Sequence, residues 1–351
     1  MSEKLFYTAK EDYRELIDGR KQAFQRGLPT GFITLDNIAS FLPGYQTLVY
    51  APPHVGKTVI TMDLLMAQAE MGKNICIYSP EFRDRKEVFN TLIQARLKKS
   101  FFGPAKDTIT DEEYIEALEF VDRHFVVIVK PRRLRDNSQE KMSIKTLFRV
   151  LTDAGKVLRR EIHFLFIDPM NYVEKDADEK FLDTQEYVLN LYDQIGEFSQ
   201  ITGVHTILSA HTRDVELIAD KDTGIRYYGV LHPSEVMGGQ SNYRSSYQIL
   251  HLWRAPEGVA DVNGIPYPAN YNKIITQKSK PFGIGKIGDT SQTPGMDGLY
   301  FDPDTYIMYE IVNGRRYYRN EYYASQGRSD FELPKPQETP KKSWEDEEDL
   351  F

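Results

Sequence analysis

The sequence predicts an α/β fold in which a mostly parallel central sheet is flanked by helices. Short apolar runs alternate with helical patterns from Gly31 onward, which is typical of a parallel sheet covered on both faces. A tight loop, residues 51–58 (APPHVGKT), follows the apolar run 45–50 directly. The chain has 351 residues, of which 40% are hydrophobic and 27% charged. That is enough for one large domain or two small ones.

Five strands and five helices are expected in the first two thirds of the chain. The strands are Thr47–Ala51, Ile75–Ser79, Phe125–Val129, His163–Ile167 and His205–Ser209. The helical patterns are Lys57–Met71, Lys86–Lys98, Asp111–Arg123, Ile144–Arg159 and Thr184–Thr202. Short apolar runs with turn signals then predict strands that extend the sheet at one edge, at Tyr247–Trp253, Tyr271–Gln277 and Tyr306–Ile311.

Three segments divide the chain. Residues 1–28 predict a helical arm, which either packs on its own body or docks on a neighbouring subunit. Residues 29–332 form the body. Residues 333–351 are rich in Pro and charge and should be disordered. The single cysteine, Cys76, lies in an apolar run and is expected to be a buried strand residue in a reducing compartment.

Composition excludes several functional classes. The net charge of −8 argues against bulk nucleic-acid binding. Any nucleic acid must therefore be bound by a local surface, such as a pore or a loop. No run of about 18 apolar residues occurs, and the first 20 residues contain no apolar signal-peptide core. We therefore expect no membrane association.

The loop 51–58 indicates a nucleoside triphosphate site. Backbone N–H groups in such a loop point at phosphates, and Gly56 permits close approach. Lys57 brings a positive charge to the β/γ-phosphates, the Thr58 hydroxyl can ligate Mg²⁺, and the next helix adds its positive N-terminus. Ala51 stands where the general pattern has Gly. The predicted ligands are ATP and Mg²⁺, bound by Pro53, His54, Val55, Gly56, Lys57, Thr58 and Val59.

Two carboxylates complete the predicted site. The strand Phe164–Asp168 (FLFID) ends in Asp168, which is expected to hold Mg²⁺ directly or through water. Hydrolysis also needs a carboxylate that orients or deprotonates water. Glu81 follows the second strand, and the carboxyl ends of parallel strands gather at one edge, so Glu81 should lie near the γ-phosphate. The alternatives are a turn-capping Asp168 and an ordinary helix-starting Glu81.

The segments 31–36 (GFITLD), 43–44 and 51–58, in this order, resemble the start of the RecA-like ATPase domain of DnaB-type replicative helicases. The resemblance covers roughly residues 15–315. It implies that Glu81, in Ser-Pro-Glu, is the catalytic base and that 167–173 (IDPMNYV) is the metal strand. It further implies a trimmed, phage-like chain without a primase-interacting domain before the ATPase, working in a bacterial host cytoplasm.

The resemblance also implies residues that communicate between sites. His211, in the segment SAHTR after the fifth strand, corresponds to the γ-phosphate sensor that relays nucleotide state to the DNA loops. Lys278 and Lys280 correspond to a late Lys-x-Arg element that reaches the nucleotide of the adjacent subunit. Arg is expected at position 280, and Lys lacks its bidentate fork. Arg254 or a nearby arginine could substitute. A structural His211 and a solvated lysine turn are the alternatives.

In this family the DNA-binding loops follow the fifth strand and face a central pore, which corresponds to residues 214–244 here. The family's arginine before the Gly-rich turn is Met237 in this chain. The alternative for each polar residue is that it faces solvent. The resemblance implies sugar–phosphate contacts by Lys221, Arg226, Gly238, Gly239, Gln240, Asn242 and Arg244.

The C-terminal sequence WEDEEDLF closes an acidic run on Phe351. It resembles the tips of single-stranded-DNA-binding proteins and of some phage replicative helicases. Such tips dock an apolar residue and a carboxylate into a basic pocket on replication partners. A primase, a polymerase or another replication protein is therefore an expected partner. A purely solubilising tail is the alternative.

The leading hypothesis is an ATP-dependent replicative DNA helicase that forms a homo-oligomeric ring, a hexamer, around single-stranded DNA. ATP would be hydrolysed at the subunit interfaces. One alternative is a RecA/RadA-like recombinase that forms filaments on DNA. Another is a non-motor ATP-dependent loader or adaptor that recruits replication proteins through its acidic tail.

Overall fold

The computed structural model describes residues 10, 13–14, 17, 27–82, 84–103, 108–130, 142–261, 263–280, 285–291 and 297–327. The predicted tail, 333–351, and most of the predicted arm, 1–28, lie outside the described residues. Within the described ranges, no helix is long and apolar enough to cross a membrane.

Eleven strands of the described chain form one sheet, in the order β13–β12–β11–β9–β8–β1–β5–β4–β2–β3, with β10 paired to β9. The strands from β8 to β3 in this order are parallel. The parallel strands are β1 (Gln46–Ala51), β2 (Ile75–Tyr78), β3 (Phe125–Ile128), β4 (Phe164–Ile167), β5 (His205–His211) and β8 (Gln248–Arg254).

Antiparallel strands extend the sheet beyond β8, which confirms the extension predicted at one edge. They are β9 (Tyr271–Ser279), β10 (Gly288–Asp289), β11 (Gly298–Asp302), β12 (Ile307–Val312) and β13 (Arg315–Tyr318). A separate hairpin consists of β6 (Leu217–Ala219) and β7 (Arg226–Tyr228). The sequence patterns did not predict β6, β7, β10, β11 or β13.

Long helices cover the parallel strands on both faces. The helices of the described residues are α1 (Ile33–Asp36), α2 (Lys57–Glu70), α3 (Arg85–Leu97), α4 (Asp111–His124), α5 (Ile144–Leu158), α6 (Thr184–Thr202), α7 (Gln240–Ser245) and α8 (Glu321–Ser325). The five long helices and the five first parallel strands begin and end within two residues of their predicted bounds. The α/β class is therefore confirmed.

Side-chain alternation along the strands divides the core into two layers. On β2, Ile75 and Ile77 pack with α2, α3 and α4, whereas Cys76 and Tyr78 pack with α5 and α6. This is the period of two expected of a strand that is buried on both faces. Cys76 is fully buried, and burial raises the pKa of its thiol to about 12.

A buried ionic cluster joins the C-terminal strands to α2. The Arg319 guanidinium, which is 1% exposed, lies 2.6 Å from Asp63 and 3.0 Å from Glu70, both on α2. The second oxygen of Asp63 accepts the Met308 N–H of β12 at 2.9 Å. Because a buried charge is costly unless it is paired, Arg319 and Asp63 each compensate the charge of the other. The cluster therefore holds α2 against β12 and β13.

Glu310 ties the same strands to the N-terminal segment. Its carboxylate accepts the Ile33 and Thr34 N–H groups at 3.1 and 3.0 Å and the Thr34 hydroxyl at 3.0 Å. Burial raises the pKa of Glu310 to about 7, although these hydrogen bonds act in the opposite direction. Nearby, the Tyr323 hydroxyl donates to Asp36 at 2.5 Å. Two C-terminal elements therefore hold α1 in place.

Replacing Arg319 with Met should lower the free energy of unfolding by about 3–5 kcal/mol, because Asp63 would keep a buried, unpaired charge. Urea denaturation measures the loss. Lys130→Met, which removes a partly exposed pair with Glu174, is the control and should cost less than about 1 kcal/mol. Equal losses in the two variants would contradict the structural role of the cluster.

The raised pKa of Glu310 predicts that stability depends on pH. The folded state binds the Glu310 proton more tightly than the unfolded chain does, so this contribution is complete below about pH 4.5. It is lost as the pH rises through about 7. Urea denaturation at pH 5 and pH 8 measures the free energy of unfolding of wild type and of Glu310→Gln. Between these two pH values it should fall less in the variant than in wild type, by at most about 3 kcal/mol. Parallel pH profiles would exclude this assignment.

Candidate functional site

The predicted phosphate loop connects β1 to α2 at the carboxyl edge of the sheet. Gly56 has a φ of 90° and His54 a φ of 63°, so the loop passes through left-handed conformations before α2 begins at Lys57. Gly adopts such a conformation without strain. The loop from Pro53 to Val59 is exposed or half-buried, and this arrangement lets a ligand reach its backbone.

Asp168, at the end of β4, contacts two residues at the end of the loop. Its carboxylate lies 3.0 Å from the Lys57 ammonium and accepts the Thr58 hydroxyl at 2.9 Å. Asp168 is fully buried, directly after β4. The structure therefore brings together Lys57, Thr58 and Asp168, the three residues predicted to bind phosphate and Mg²⁺.

Ser209 is a member of this cluster that sequence reasoning did not select. Its hydroxyl contacts both the Lys57 ammonium and the Asp168 carboxylate, and it is fully buried. Ser209 lies on β5, which pairs with both β1 and β4. The register places Ser209 between the loop and Asp168. It lies one residue beyond the level of Ile167 on the adjacent strand, a register that the sequence pattern does not contain.

Glu81 and His211 form a second pair at the same edge of the sheet. His211 Nε2 lies 2.7 Å from a Glu81 carboxylate oxygen, and the side chains are 42% and 35% exposed. Ala51 of β1 is opposite His211 in the parallel register, so the pair is adjacent to the start of the phosphate loop. The proposed base and the proposed sensor are therefore in direct contact.

The backbone of His211 is tied to the segment that was predicted to bind DNA. Its N–H donates to Asn171 Oδ1 at 3.2 Å, and its carbonyl accepts the Met237 N–H at 3.0 Å. The next residue, Thr212, forms a bridge with Val236. The hydrogen bond and the bridge thus connect His211 to the residues immediately before Gly238.

The structure divides the predicted DNA segment into an exposed hairpin and a Gly-rich turn. Lys221 and Arg226 are exposed on the β6–β7 hairpin. Gly238 and Gly239 have φ values of 95° and 57° and lead into α7. Gln240 and Arg244 are exposed at the two ends of this helix.

Asn242 is placed differently from the surface position that was predicted for it. It is fully buried, its amide donates to the Met237 carbonyl at 2.7 Å, and its Oδ1 accepts the Tyr192 hydroxyl at 3.3 Å. These contacts occupy the side chain. In this arrangement Asn242 holds the Gly-rich turn onto α6 and has no surface to offer DNA.

Lys278 and Lys280 also differ from each other. Lys280 is exposed, whereas Lys278 is only 8% exposed. The Lys278 ammonium donates to the backbone carbonyls of Tyr243 and Arg244, the latter at 2.9 Å. Burial, and then the nearby Lys280 charge, lower the pKa of Lys278 to about 8. As placed, Lys278 contacts its own chain.

The donor set fits Mg²⁺ bound together with a nucleotide. Within the described part of the chain, no group of three or more His, Cys, Asp or Glu residues could hold a metal by itself. Thr58 and Asp168 offer a hydroxyl and a carboxylate beside the phosphate loop. Mg²⁺ is commonly held by one or two protein oxygens plus substrate phosphates.

The loop 51–58 and Asp168 are thus positioned by an α/β fold of the RecA-like type. Solved structures share this fold. The chain superposes on one solved ATPase domain with a TM-score of 0.63 and 15% identity, over 86% of this chain and 98% of that one. A DnaB-like replicative helicase, studied with its primase interactions, gives a TM-score of 0.62 and 16% identity, over 87% and 68% of the two chains.

The sequence is similar to that of a plant protein. The Twinkle homolog protein, chloroplastic/mitochondrial, of Arabidopsis thaliana is 28% identical over 215 residues, which is 59% of this chain. The match spans only 29% of that relative's length. No protein-family model matches the chain.

Replacing Ser209 with Ala should raise the Kd for Mg²⁺–ATP by about tenfold or more. The change removes the hydrogen bonds that hold Lys57 and Asp168 in their binding positions, and a hydrogen bond to a charged group is worth about 1.5–3 kcal/mol. Calorimetric titration measures the affinity. Ser199→Ala is the control, because it makes the same change at a buried serine that bonds Thr206 at the start of β5. A Kd that Ser209→Ala leaves unchanged would rule out this role.

Proposed function

We propose that the chain is the ATPase of a ring-forming replicative DNA helicase that moves along single-stranded DNA. The observation that carries the proposal is the joining of two clusters at one sheet edge. Lys57, Thr58 and Asp168 are held together there, and the contact between Glu81 and His211 lies beside them. The fold similarity to a solved ATPase domain and to a DnaB-like helicase, and the sequence similarity to the Twinkle homolog, support the helicase class.

The chemistry is hydrolysis of the terminal phosphate. Glu81 accepts a proton from water, the oxygen of that water attacks the γ-phosphorus, and the bond to the bridging oxygen breaks to give ADP and phosphate. Lys57 neutralises charge on the phosphates, and Thr58 and Asp168 hold Mg²⁺. Bound Mg²⁺ supplies further neutralisation of the phosphate oxygens.

Coupling to DNA follows from the contacts of His211. A γ-phosphate that attracts the imidazole displaces it from Glu81, and the same movement acts on Met237 through the backbone hydrogen bond. The Gly-rich turn and α7 come next along the chain. Hydrolysis at one site would thereby move the buried turn at Gly238 and Gly239 and change the grip of Gln240 and Arg244 on the sugar–phosphate backbone. Lys221 and Arg226 on the hairpin would be further contacts.

A ring would give Lys280 a ligand outside its own subunit. Lys280 is exposed at the end of β9 and is proposed to reach the nucleotide of the adjacent subunit.

We propose a hexamer that acts in the cytoplasm of a bacterial host, encoded by a phage. The acidic tail ending in Phe351 is proposed to recruit a primase, polymerase or other replication protein.

Steady-state ATPase activity with and without single-stranded DNA tests the proposal. Wild type should hydrolyse ATP faster with DNA, and Lys57→Ala should abolish turnover. Glu81→Gln should lower kcat by about 10²–10⁴-fold while ATP still binds, because only the general base is lost. Fluorescent-nucleotide titration separates binding from turnover.

The rivals give different outcomes in the same experiment. Lys57-dependent turnover that ignores DNA would reject the motor and favour a loader or adaptor. Turnover stimulated by DNA, together with helical filaments and strand exchange instead of rings and unwinding, would favour a recombinase. Electron microscopy with nucleotide and single-stranded DNA distinguishes rings from filaments.

A further inference from the structure

One cavity contains residues that were predicted to serve two different ligands. Arg244, Lys278 and Lys280 line a cavity of ≈ 400 Å³ together with Tyr243, Gln277 and Ile287. Arg244 was assigned to DNA, whereas the two lysines were assigned to the nucleotide of the adjacent subunit. Side chains that line one cavity of this size can contact a single ligand bound there.

The cavity is strongly basic. None of the residues that line it is Asp or Glu, and among the described residues no carboxylate forms an ion pair with any of its three cations. Burial, and then the charge of Lys280, lower the pKa of Lys278. Bringing cations together without a counter-ion is unfavourable. An anion is the ligand that this environment favours.

A β-bulge orients the strand that carries the lysines. In the pairing of β8 with β9, Ile249 is opposite Lys278 but Leu250 is opposite Thr276, so Gln277 is the extra residue. Gln277 Nε2 donates to the Leu231 carbonyl at 2.6 Å, and Lys278 donates to carbonyls of α7. Bulges re-aim side chains near functional sites. Here two consecutive side chains both contact the segment 231–244.

Arg244 has the guanidinium group that Lys280 lacks. Arg244 is exposed in the last turn of α7, its backbone carbonyl is held by Lys278, and its guanidinium makes no hydrogen bond or ion pair with any described residue. A guanidinium binds a phosphate through two parallel hydrogen bonds, which an ammonium cannot do.

The other arginine considered from the sequence lies elsewhere. The Arg254 guanidinium donates to Asn270 at 3.2 Å and lies 5.7 Å from the centre of the Phe301 ring. It does not line the cavity. Arg244 is therefore the arginine placed beside the two lysines.

We propose that Arg244, Lys278 and Lys280 form one phosphate-binding site. Arg244 provides the guanidinium that the Lys-Ser-Lys element lacks, Lys280 provides a second exposed cation, and Lys278 holds the Arg244 backbone in place. The inference rests on the proposed function. The phosphate belongs either to the nucleotide of the adjacent subunit or to the DNA backbone, and the recognition chemistry is the same for both.

The full-length variants Arg244→Gln, Arg244→Lys and Arg254→Gln test the site, with thermal unfolding as a check on folding. If the phosphate is the nucleotide's, Arg244→Gln should lower DNA-stimulated kcat by about 100-fold or more. It should leave the Kd for single-stranded DNA unchanged, and Arg244 would then be removed from the DNA contacts proposed above. Mixing it with Lys57→Ala should restore turnover, since mixed interfaces combine an intact phosphate loop with an intact Arg244. Arg244→Lys should fall between wild type and Arg244→Gln.

If the phosphate is the DNA's, Arg244→Gln should weaken binding of an oligothymidylate probe. It should also reduce the slope of log affinity against log salt by about 0.7, and mixing should restore nothing. The proposal is overturned if Arg244→Gln changes neither quantity, if it lowers turnover with neither rescue nor a DNA defect, or if Arg254→Gln causes the larger loss. A wild type without DNA-stimulated turnover would instead count against the proposed function.

Discussion

The negative charge of one buried carboxylate determines how the site is built. Asp168 is fully buried, so its carboxylate must be compensated by neighbouring groups. Lys57 and Thr58 from α2 and Ser209 from β5 provide this compensation. Helix α2, strand β5 and the end of β4 meet here because β5 pairs in parallel with both β1 and β4. The compensation of this one carboxylate therefore depends on the strand order of the sheet.

The parallel half of the fold was predictable because its signals are local. Strands buried on both faces are nearly continuous apolar runs, and the phosphate loop is a contiguous motif. Lys57, Thr58 and Asp168 could be paired in advance because parallel strands bring their carboxyl ends to one edge. The contact between Glu81 and His211 obeys the same rule, although their functions remain proposals.

The remainder depends on contacts that the sequence pattern does not contain. Ser209 is an ordinary strand residue until the register places it against Asp168. Strand β13 (RRYY) carries exposed arginines, and β6 and β7 have three residues each, so none has an alternating apolar signal. The burial of Asn242 and Lys278 likewise follows from α7 packing against α6 and β9, which is tertiary information.

The partner of Asp63 lies 256 residues later in the chain. During synthesis on a ribosome, α2 therefore emerges long before the guanidinium that neutralises its buried face. Until Arg319 leaves the exit tunnel, the helix that starts at the phosphate loop cannot adopt its final packing without an unpaired charge. A nascent chain truncated before the last strands should consequently be a target for chaperones and proteases, and nucleotide binding should mature only after Arg319 has emerged.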